Sequence, residues 1–171
     1  MSNDYPFVQL RALEPEDLDI LYRIENDRSL WEVGVTNVPY SRFALREYIM
    51  TSTGDIYVDK QVRLMITGHD QEVIGMVDLC NFNPQHRRAE VGIVIDEPYR
   101  GKGYSEAALL QLIDYAREVL HIHQLYALMN TGNTSCIRLF EHIGFVHEGV
   151  LKDWLYDGTD YHDALILAFF L

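Results

Sequence analysis

The chain has 171 residues, 48% of them hydrophobic and 23% charged, and its 14 Lys+Arg against 26 Asp+Glu give a formal net charge of −12. That mix, with 11 Tyr, 7 Phe and 2 Trp, is an ordinary globular protein's and not a disordered chain's. The acidic balance argues against a general nucleic-acid binder, which would be basic; it suits a cationic substrate, although excess negative charge serves solubility equally well.

The length accommodates one domain over residues 1–171, with enough chain to bury a real core. The only cysteines, Cys80 and Cys136, sit in no CxxC or Cys/His spacing, so there is no zinc signature and no disulfide framework. Cys80 lies in an apolar strand-like run and reads as a buried thiol. The N-terminal MSNDYPFVQLRALEPEDLD carries early acids and no apolar h-region. No stretch approaches the roughly 18 apolar residues of a membrane span. The expectation is a cytoplasmic protein with no membrane, nucleic-acid or metal partner.

Val8, Leu10 and Ala12 alternate with polar neighbours and predict a first strand. Glu14-Pro15-Glu16-Asp17 reads as a helix start, with Pro and acids in the first turn, and Leu18, Leu21, Tyr22 and Ile24 carry that helix to about Asn26. Turn chemistry follows at 29–40, then a second helix from Arg42 to about Thr51. Strands are predicted at 61–67 and 73–80, joined by the turn cluster Gly68-His69-Asp70-Gln71. The β-branched run Ala89–Asp96 is another strand. A helix then spans Ser105 to about Val119, with Ala108, Leu109, Leu112, Ile113 and Ala116 on one face. A short strand at 125–129 and a helix at 133–142, closed by Gly144, lead to two long strands, 145–156 and 161–171, joined at Asp157-Gly158. The order βαα-ββ-β-α-β-α-ββ predicts an α+β fold with a mixed sheet and flanking helices.

Between the strand ending at Asp96 and the helix opening at Ser105 lies Arg100-Gly101-Lys102-Gly103-Tyr104-Ser105. Two glycines let backbone approach a ligand closely. The first helical N–H groups have no intrahelical partner and sit at the positive end of the dipole. With Arg100 and Lys102 added, this is a pyrophosphate cradle; a tight strand-to-helix turn is the plainer reading of the same residues. It is neither a P-loop nor a dinucleotide GxGxxG, since Glu106 stands where the third glycine would be.

This segment resembles the acyl-CoA motif [QR]-x-x-G-x-[GA] of the GNAT superfamily of N-acetyltransferases, with Ser105 in the last small-residue slot. A second block, N-x-x-[AS]-x-x-x-[YF]-x-x-x-G-F, is matched by Asn133, Cys136, Phe140, Gly144 and Phe145. The resemblance extends over the chain, from Leu10–Leu18 to the G-x-x-Y-x-D of Gly158–Asp163. His86-Arg87-Arg88-Ala89-Glu90 looks most like the spermidine/diamine and ribosomal-protein N-terminal acetyltransferases.

The resemblance implies a single-domain, largely antiparallel sheet with a splayed central strand pair, and acetyl-CoA as co-substrate without a metal. It implies that the backbone of Ile93, Val94 and Ile95 meets the pantetheine arm, and that Arg100, Gly101, Lys102, Gly103, Tyr104, Ser105, Asn133 and Phe140 contact the cofactor. On that reading a branched side chain at Gly103 falls where pyrophosphate lies. Asn133 is equally well read as a helix N-cap.

An attacking amine must lose a proton before it meets the thioester, and the leaving thiolate takes one up. Glu90, at the start of the splayed strand, is the candidate base; an exposed strand-end Glu paired with Arg87 or Arg88 is the plainer reading. A backbone N–H of the splayed strand suits the oxyanion. The polyamine enzymes carry a Tyr as thiolate acid where this chain has Phe140, and adjacent acids before Pro39-Tyr40 where it has Thr36-Asn37-Val38. Glu25, Asp27 and Glu32 lie upstream and supply an acidic wall or merely a solvated helix end. The expected activity is acetyl transfer to a primary amine, a polyamine or diamine among them. Protein N-terminal acetylation and a non-catalytic acetyl-CoA sensor are the alternatives. A homodimer is the expected assembly.

Overall fold

The computed structural model describes residues 5–31 and 38–171, with the backbone alone at Trp31. The chain runs β1 (Gln9–Ala12), a 3-10 turn (Pro15–Asp17), α1 (Leu18–Glu25), α2 (Arg28–Trp31), α3 (Arg42–Thr51) and α4 (Ile56–Asp59). It continues with β2 (Val62–Thr67), β3 (Val73–Asn83), β4 (Arg88–Ile95), a 3-10 turn (Glu97–Tyr99) and α5 (Tyr104–Glu118). β5 (Gln124–Asn130), α6 (Thr134–Ile143), β6 (Val146–Tyr156) and β7 (Tyr161–Phe170) complete it. The strands form one seven-stranded sheet in the order β1-β2-β3-β4-β5-β7-β6, antiparallel except for the parallel β4–β5 pair.

The sheet separates two apolar layers. On one face, Ala108, Leu109, Leu112 and Ala116 of α5 and Phe140 of α6 pack onto Val77, Leu79, Val91, Leu125 and Leu167. On the other, Leu21 and Ile24 of α1 and Leu45 and Ile49 of α3 bury Met65 and Met76. Period-two alternation sends neighbouring strand residues to opposite layers, which is why β5 reads buried at every second position from Leu125 to Met129.

The predicted elements are present within a few residues of their expected bounds. The helix expected from Pro15 opens instead as a 3-10 turn. There the Asp17 carboxylate accepts both Arg11 Nη atoms at 2.8 Å and the Glu14 N–H at 2.9 Å, drawing the turn tight. The four-residue helices α2 and α4 were not expected; four residues are too few to show a periodicity. The last hairpin turns through Asp157–Asp160, with Gly158 at φ 102° and the Asp157 carboxylate accepting the Thr159 and Asp160 N–H groups at 2.8 Å.

Two contacts hold the middle of the sheet to its helices. Arg23 of α1 donates both Nη atoms to Asp96, at 2.8 and 2.7 Å, just past the end of β4, where the same carboxylate caps Glu97 N–H at 3.0 Å. Phe140 is 1% exposed, edge-on against Phe145 with centroids 4.8 Å apart. Its truncation removes a ring from a closed core, so Phe140→Ala is expected to cost about 3–5 kcal/mol, read as a lowered urea midpoint at constant m.

Hydrogen bonds from Arg23, helped by its charge and against a smaller burial effect, hold the Asp96 carboxyl below its ordinary 3.8. A folded-state value below the unfolded one means stability that is full above the unfolded value and lost as pH falls through the folded one. Asp96→Asn is therefore expected to lower Tm at neutral pH, with the gap to the parent closing below about pH 4 in an acid series.

Candidate functional site

The parallel β4–β5 ladder has three rungs, Arg88↔Gln124, Ala89↔Leu125 and Glu90↔Tyr126. Beyond Glu90, β4 stays with β3 as far as the Gly75↔Ile95 pair, while β5 goes with β7 as far as Asn130↔Ala164. The two central strands therefore part, and the splay expected from the family resemblance is present. Asp96 N–H donates to Ile74 O at 2.8 Å, so alternation along β4 turns the N–H and C=O of Ile95 and Ile93 the other way, into the gap that β5 leaves. Arg100 Nε takes up Ile95 O there, at 2.8 Å. The backbone of Val94 faces β3 instead. From Ile95 back to Glu90 the strand covers about 17 Å at the usual rise, comparable to an extended pantetheine arm.

At the open end the gap widens into a cavity of about 480 Å³. Ile93, Val94 and Ile95 form one wall, Arg100, Gly101, Tyr104 and Ser105 another, and Ser135, Cys136 and Leu139 of α6 a third; Leu30 and Tyr99 also reach it. The first intrahelical bond at the head of α5 is Ala107 N–H to Gly103 O, so the N–H groups of Tyr104, Ser105 and Glu106 precede the helix's own ladder. Gly101 has φ 72°, and a Cβ built on it meets no atom within 4 Å. Free N–H groups, a bare Cα facing open space and the dipole's positive end fit the pyrophosphate of acetyl-CoA.

Four of the expected cofactor residues stand outside the cavity wall. Lys102 Nζ donates to Pro98 O at 2.8 Å. Gly103 has φ 83°, and an added Cβ lies 3.2 Å from Pro6 Cδ, so packing against the N-terminal segment explains this glycine. A side chain at Gly103 therefore points at Pro6, which corrects the expectation that it enters the pyrophosphate site. Asn133 is the N-cap of α6, its Oδ1 accepting Cys136 N–H at 3.4 Å, which is the plainer of its two readings. Phe140 is sealed in the core. Leu30, Tyr99, Ser135 and Leu139 were not anticipated. The last two lie on the face of α6 that carries Cys136, a face the helical period marks; Leu30 had no such signal.

At the vertex of the splay, Glu90 and Tyr126 face each other across the last rung. Asn81 Nδ2 donates to Glu90 Oε2 at 2.8 Å from a register shift in β3 between Cys80 and Asn83, with Asn81 itself at φ 52°. Such bulges re-aim side chains beside sites. Cys80 Sγ lies 3.7 Å from Glu90 O, and burial, with the Glu90 and Asp78 charges, pushes this half-buried thiol up to about 12. Burial and then the Glu90 charge push the Tyr126 phenol up as well. Glu90 thus accepts from Asn81 and stands opposite Tyr126, and Arg87 is turned away to the His121 carbonyl.

On the same sheet face, the rung beside this one reads Arg63–Asp78–Gly92. Arg63 donates Nε and Nη2 to Asp78 at 2.7 Å each, and Nη1 to Glu25 of α1. Burial disfavours its charge, but the Asp78 hydrogen bonds and the charges of Asp78 and Glu25 outweigh that and keep it protonated. Gly92 has no side chain, so the sheet is notched between Asp78 and Glu90; an added Cβ would lie 3.8 Å from Asp78 Cβ. Thr36, Asn37 and Glu32 lie outside the described residues. Among the described residues no group of three His, Cys, Asp or Glu could hold a metal ion, and no helix is long and apolar enough to cross a membrane.

Comparison with known proteins agrees with this geometry. Spermidine N(1)-acetyltransferase of Escherichia coli K12 is 30% identical over 167 residues, 95% of this chain and 86% of that protein. YdaF of Bacillus subtilis, named provisionally as a ribosomal N-acetyltransferase, is 32% identical over 162 residues, 92% of this chain and 88% of that one. The crystal structure of spermidine N-acetyltransferase from Vibrio cholerae in complex with CoA and spermine superposes with a TM-score of 0.88 at 27% identity, covering 95% of each chain. Residues 8–146 match the acetyltransferase (GNAT) domain family. With its splayed strand pair and glycine loop in place, the chain belongs to the GNAT acetyltransferase family and is an acetyl-CoA-dependent N-acetyltransferase.

Proposed function

We propose that the acceptor is a polyamine or diamine, that Glu90 takes the proton from its attacking amine, and that the cavity between β4, the 100–105 loop and α6 holds acetyl-CoA. One observation carries the acceptor class. The sheet face at the vertex presents the carboxylates of Glu25, Asp78 and Glu90 beside the guanidinium groups of Arg63 and, two residues before Glu90 on β4, Arg88, with a side-chain-free notch at Gly92. A surplus of carboxylate beside the reacting centre favours a substrate with more than one ammonium group. The likeness to the Escherichia coli and Vibrio cholerae spermidine enzymes supports the same class.

Acetyl-CoA supplies the activated acetyl group. The N–H groups at the head of α5 receive its pyrophosphate, and the Ile93 N–H faces the gap where a developing oxyanion needs a donor. Glu90 is held for its task by Asn81, which fixes one carboxylate oxygen and leaves the other for a proton. A peptide N-terminus is the second reading, favoured by the likeness to the Bacillus subtilis protein.

We further propose one folded unit over 1–171, a homo-oligomer and a cytoplasmic location. Val146, Val150 and Trp154 are exposed along the edge strand β6, and a Vibrio cholerae relative with TM-score 0.82 is dodecameric. Both cysteines are free thiols.

Thiol release from acetyl-CoA is expected with spermidine, spermine or short diamines and not with peptides bearing free N-termini; release with peptides alone would replace the acceptor assignment. Gly101→Val is expected to weaken acetyl-CoA binding at least about tenfold by calorimetry. Gly103→Ala is expected instead to cost stability, about 1–2 kcal/mol from its positive φ and the Pro6 contact, with affinity nearly kept.

A further inference from the structure

The thiolate that leaves during acetyl transfer needs a proton, and α6 offers none at the position where the resembled enzymes carry a phenol. Phe140 stands there, 1% exposed and locked against Phe145. A donor must therefore be sought at the closed end of the cleft, where β4 and β5 part.

Among the described residues, three groups at this vertex carry a dissociable proton: Glu90, Cys80 and Tyr126. Glu90 is committed to the amine in the reading above, on which the present inference rests. Cys80 lies on β3, one strand removed from the gap, and its Sγ is turned to Glu90 O at 3.7 Å. Tyr126 borders the gap itself. It is the β5 half of the last rung, directly opposite Glu90 and on the same sheet face, and its side chain is half-buried. Just past it the pairing ends and the backbone of β4 opens to the cleft.

We propose that the Tyr126 phenol is the acid that protonates the departing CoA thiolate, acting with Glu90 as a couple across the last rung of the β4–β5 ladder. In the step, the amine nitrogen bonds to the acetyl carbon and the carbon–sulfur bond breaks. The amine enters as the free base, its ammonium proton already released to water; on attack its nitrogen gives a second proton to Glu90, and the phenol proton passes to the CoA sulfur. The proton on Glu90 then returns to the phenolate, so the couple ends as it began and the products are the N-acetyl amine and CoA thiol. No further reactant is required.

The order of events suits the electrostatics. Burial, and after it the Glu90 charge, keep the phenol protonated at neutral pH; Cys80 on β3 adds to the Glu90 effect when ionised, and Arg88 on β4 opposes it. Opposite Tyr126 on β7 stands Ala168, which bears no charge. Once Glu90 has accepted the amine proton its charge is gone, and the phenol becomes a stronger acid at the moment the thiolate forms.

The test is the single-turnover rate of acetyl transfer to spermidine and, in parallel, to a peptide with a free N-terminus, beside calorimetric acetyl-CoA binding. Tyr126→Phe is expected to lower the rate about 10²-fold with acetyl-CoA affinity unchanged. Trifluorotyrosine at position 126 keeps the ring in place and ionises at lower pH, so its rate is expected to fall as pH rises through that range. A Tyr126→Phe rate within about twofold of the parent would overturn the proposal. So would a trifluorotyrosine pH profile that superimposes on the parent's, even if Tyr126→Phe fails to fold. Glu90→Gln separates the two assignments. Full rate in Glu90→Gln with loss in Tyr126→Phe removes the base and keeps the acid, and the opposite pattern removes the acid and keeps the base.

Discussion

Everything at this site follows from a ladder that stops. Parallel β4 and β5 share three rungs and then separate, because each strand has a longer commitment on its other side: β4 to β3 through Ile95, β5 to β7 through Asn130. An interior strand with one unpaired edge is costly, since each backbone N–H or C=O left without a partner away from water loses a hydrogen bond's worth of free energy. The gap is therefore a place where a polar chain with amide groups of its own can lie as a surrogate strand. The arm of acetyl-CoA is such a chain, so the opening of the sheet prepares the site before any side chain is considered.

Side-chain contacts keep the gap in shape. Arg23 and Asp96 tie α1 to the last residue before the loop, and Arg63 ties α1 to β2 and β3 through Glu25 and Asp78. A part-buried guanidinium between two carboxylates is weak evidence for net stability, but removing one partner leaves an uncompensated charge. The network thus fixes where α1 lies over the sheet, and with it the width of the face beside Glu90. At the cofactor end, Glu106 in the first turn of α5 accepts from the Tyr5 hydroxyl at 2.6 Å and meets His142 of α6 at 2.8 Å, joining the N-terminal segment, α5 and α6 at one carboxylate.

Much of this was legible in the residues. The strands and long helices show their periods plainly, and Arg100–Ser105 reads as a cradle because two glycines between a strand and a helix have a definite physical use. Motif membership was less informative about individual side chains. Asn133 and Phe140 match the family pattern, yet one caps a helix and the other fills the core; a motif records which residue is tolerated, not which way it faces. Gly103 is the sharpest case: the use of a missing Cβ there was foreseen, but the neighbour that uses it, Pro6, was not, since nothing local links positions about a hundred residues apart. The register that sets Glu90 opposite Tyr126 was hidden for the same reason. It is a register between distant strands, and register is decided by the packing of the whole sheet.

The tethering of Arg100 and Lys102 has a consequence for how the cofactor arrives. Both cations are held by main-chain carbonyls, Ile95 O and Pro98 O, and so form a small fixed island of positive charge on a molecule whose formal charge is −12. At low ionic strength and at distances larger than the loop, the phosphates of acetyl-CoA meet the repulsion of the whole protein and not the attraction of the loop; at physiological ionic strength, where the Debye length is about 8 Å, that repulsion is largely screened. Capture is then a short-range event behind a long-range barrier. Added salt lowers that barrier sooner than it weakens the contacts at the helix terminus, so moderate ionic strength speeds the encounter it would slow in a basic protein.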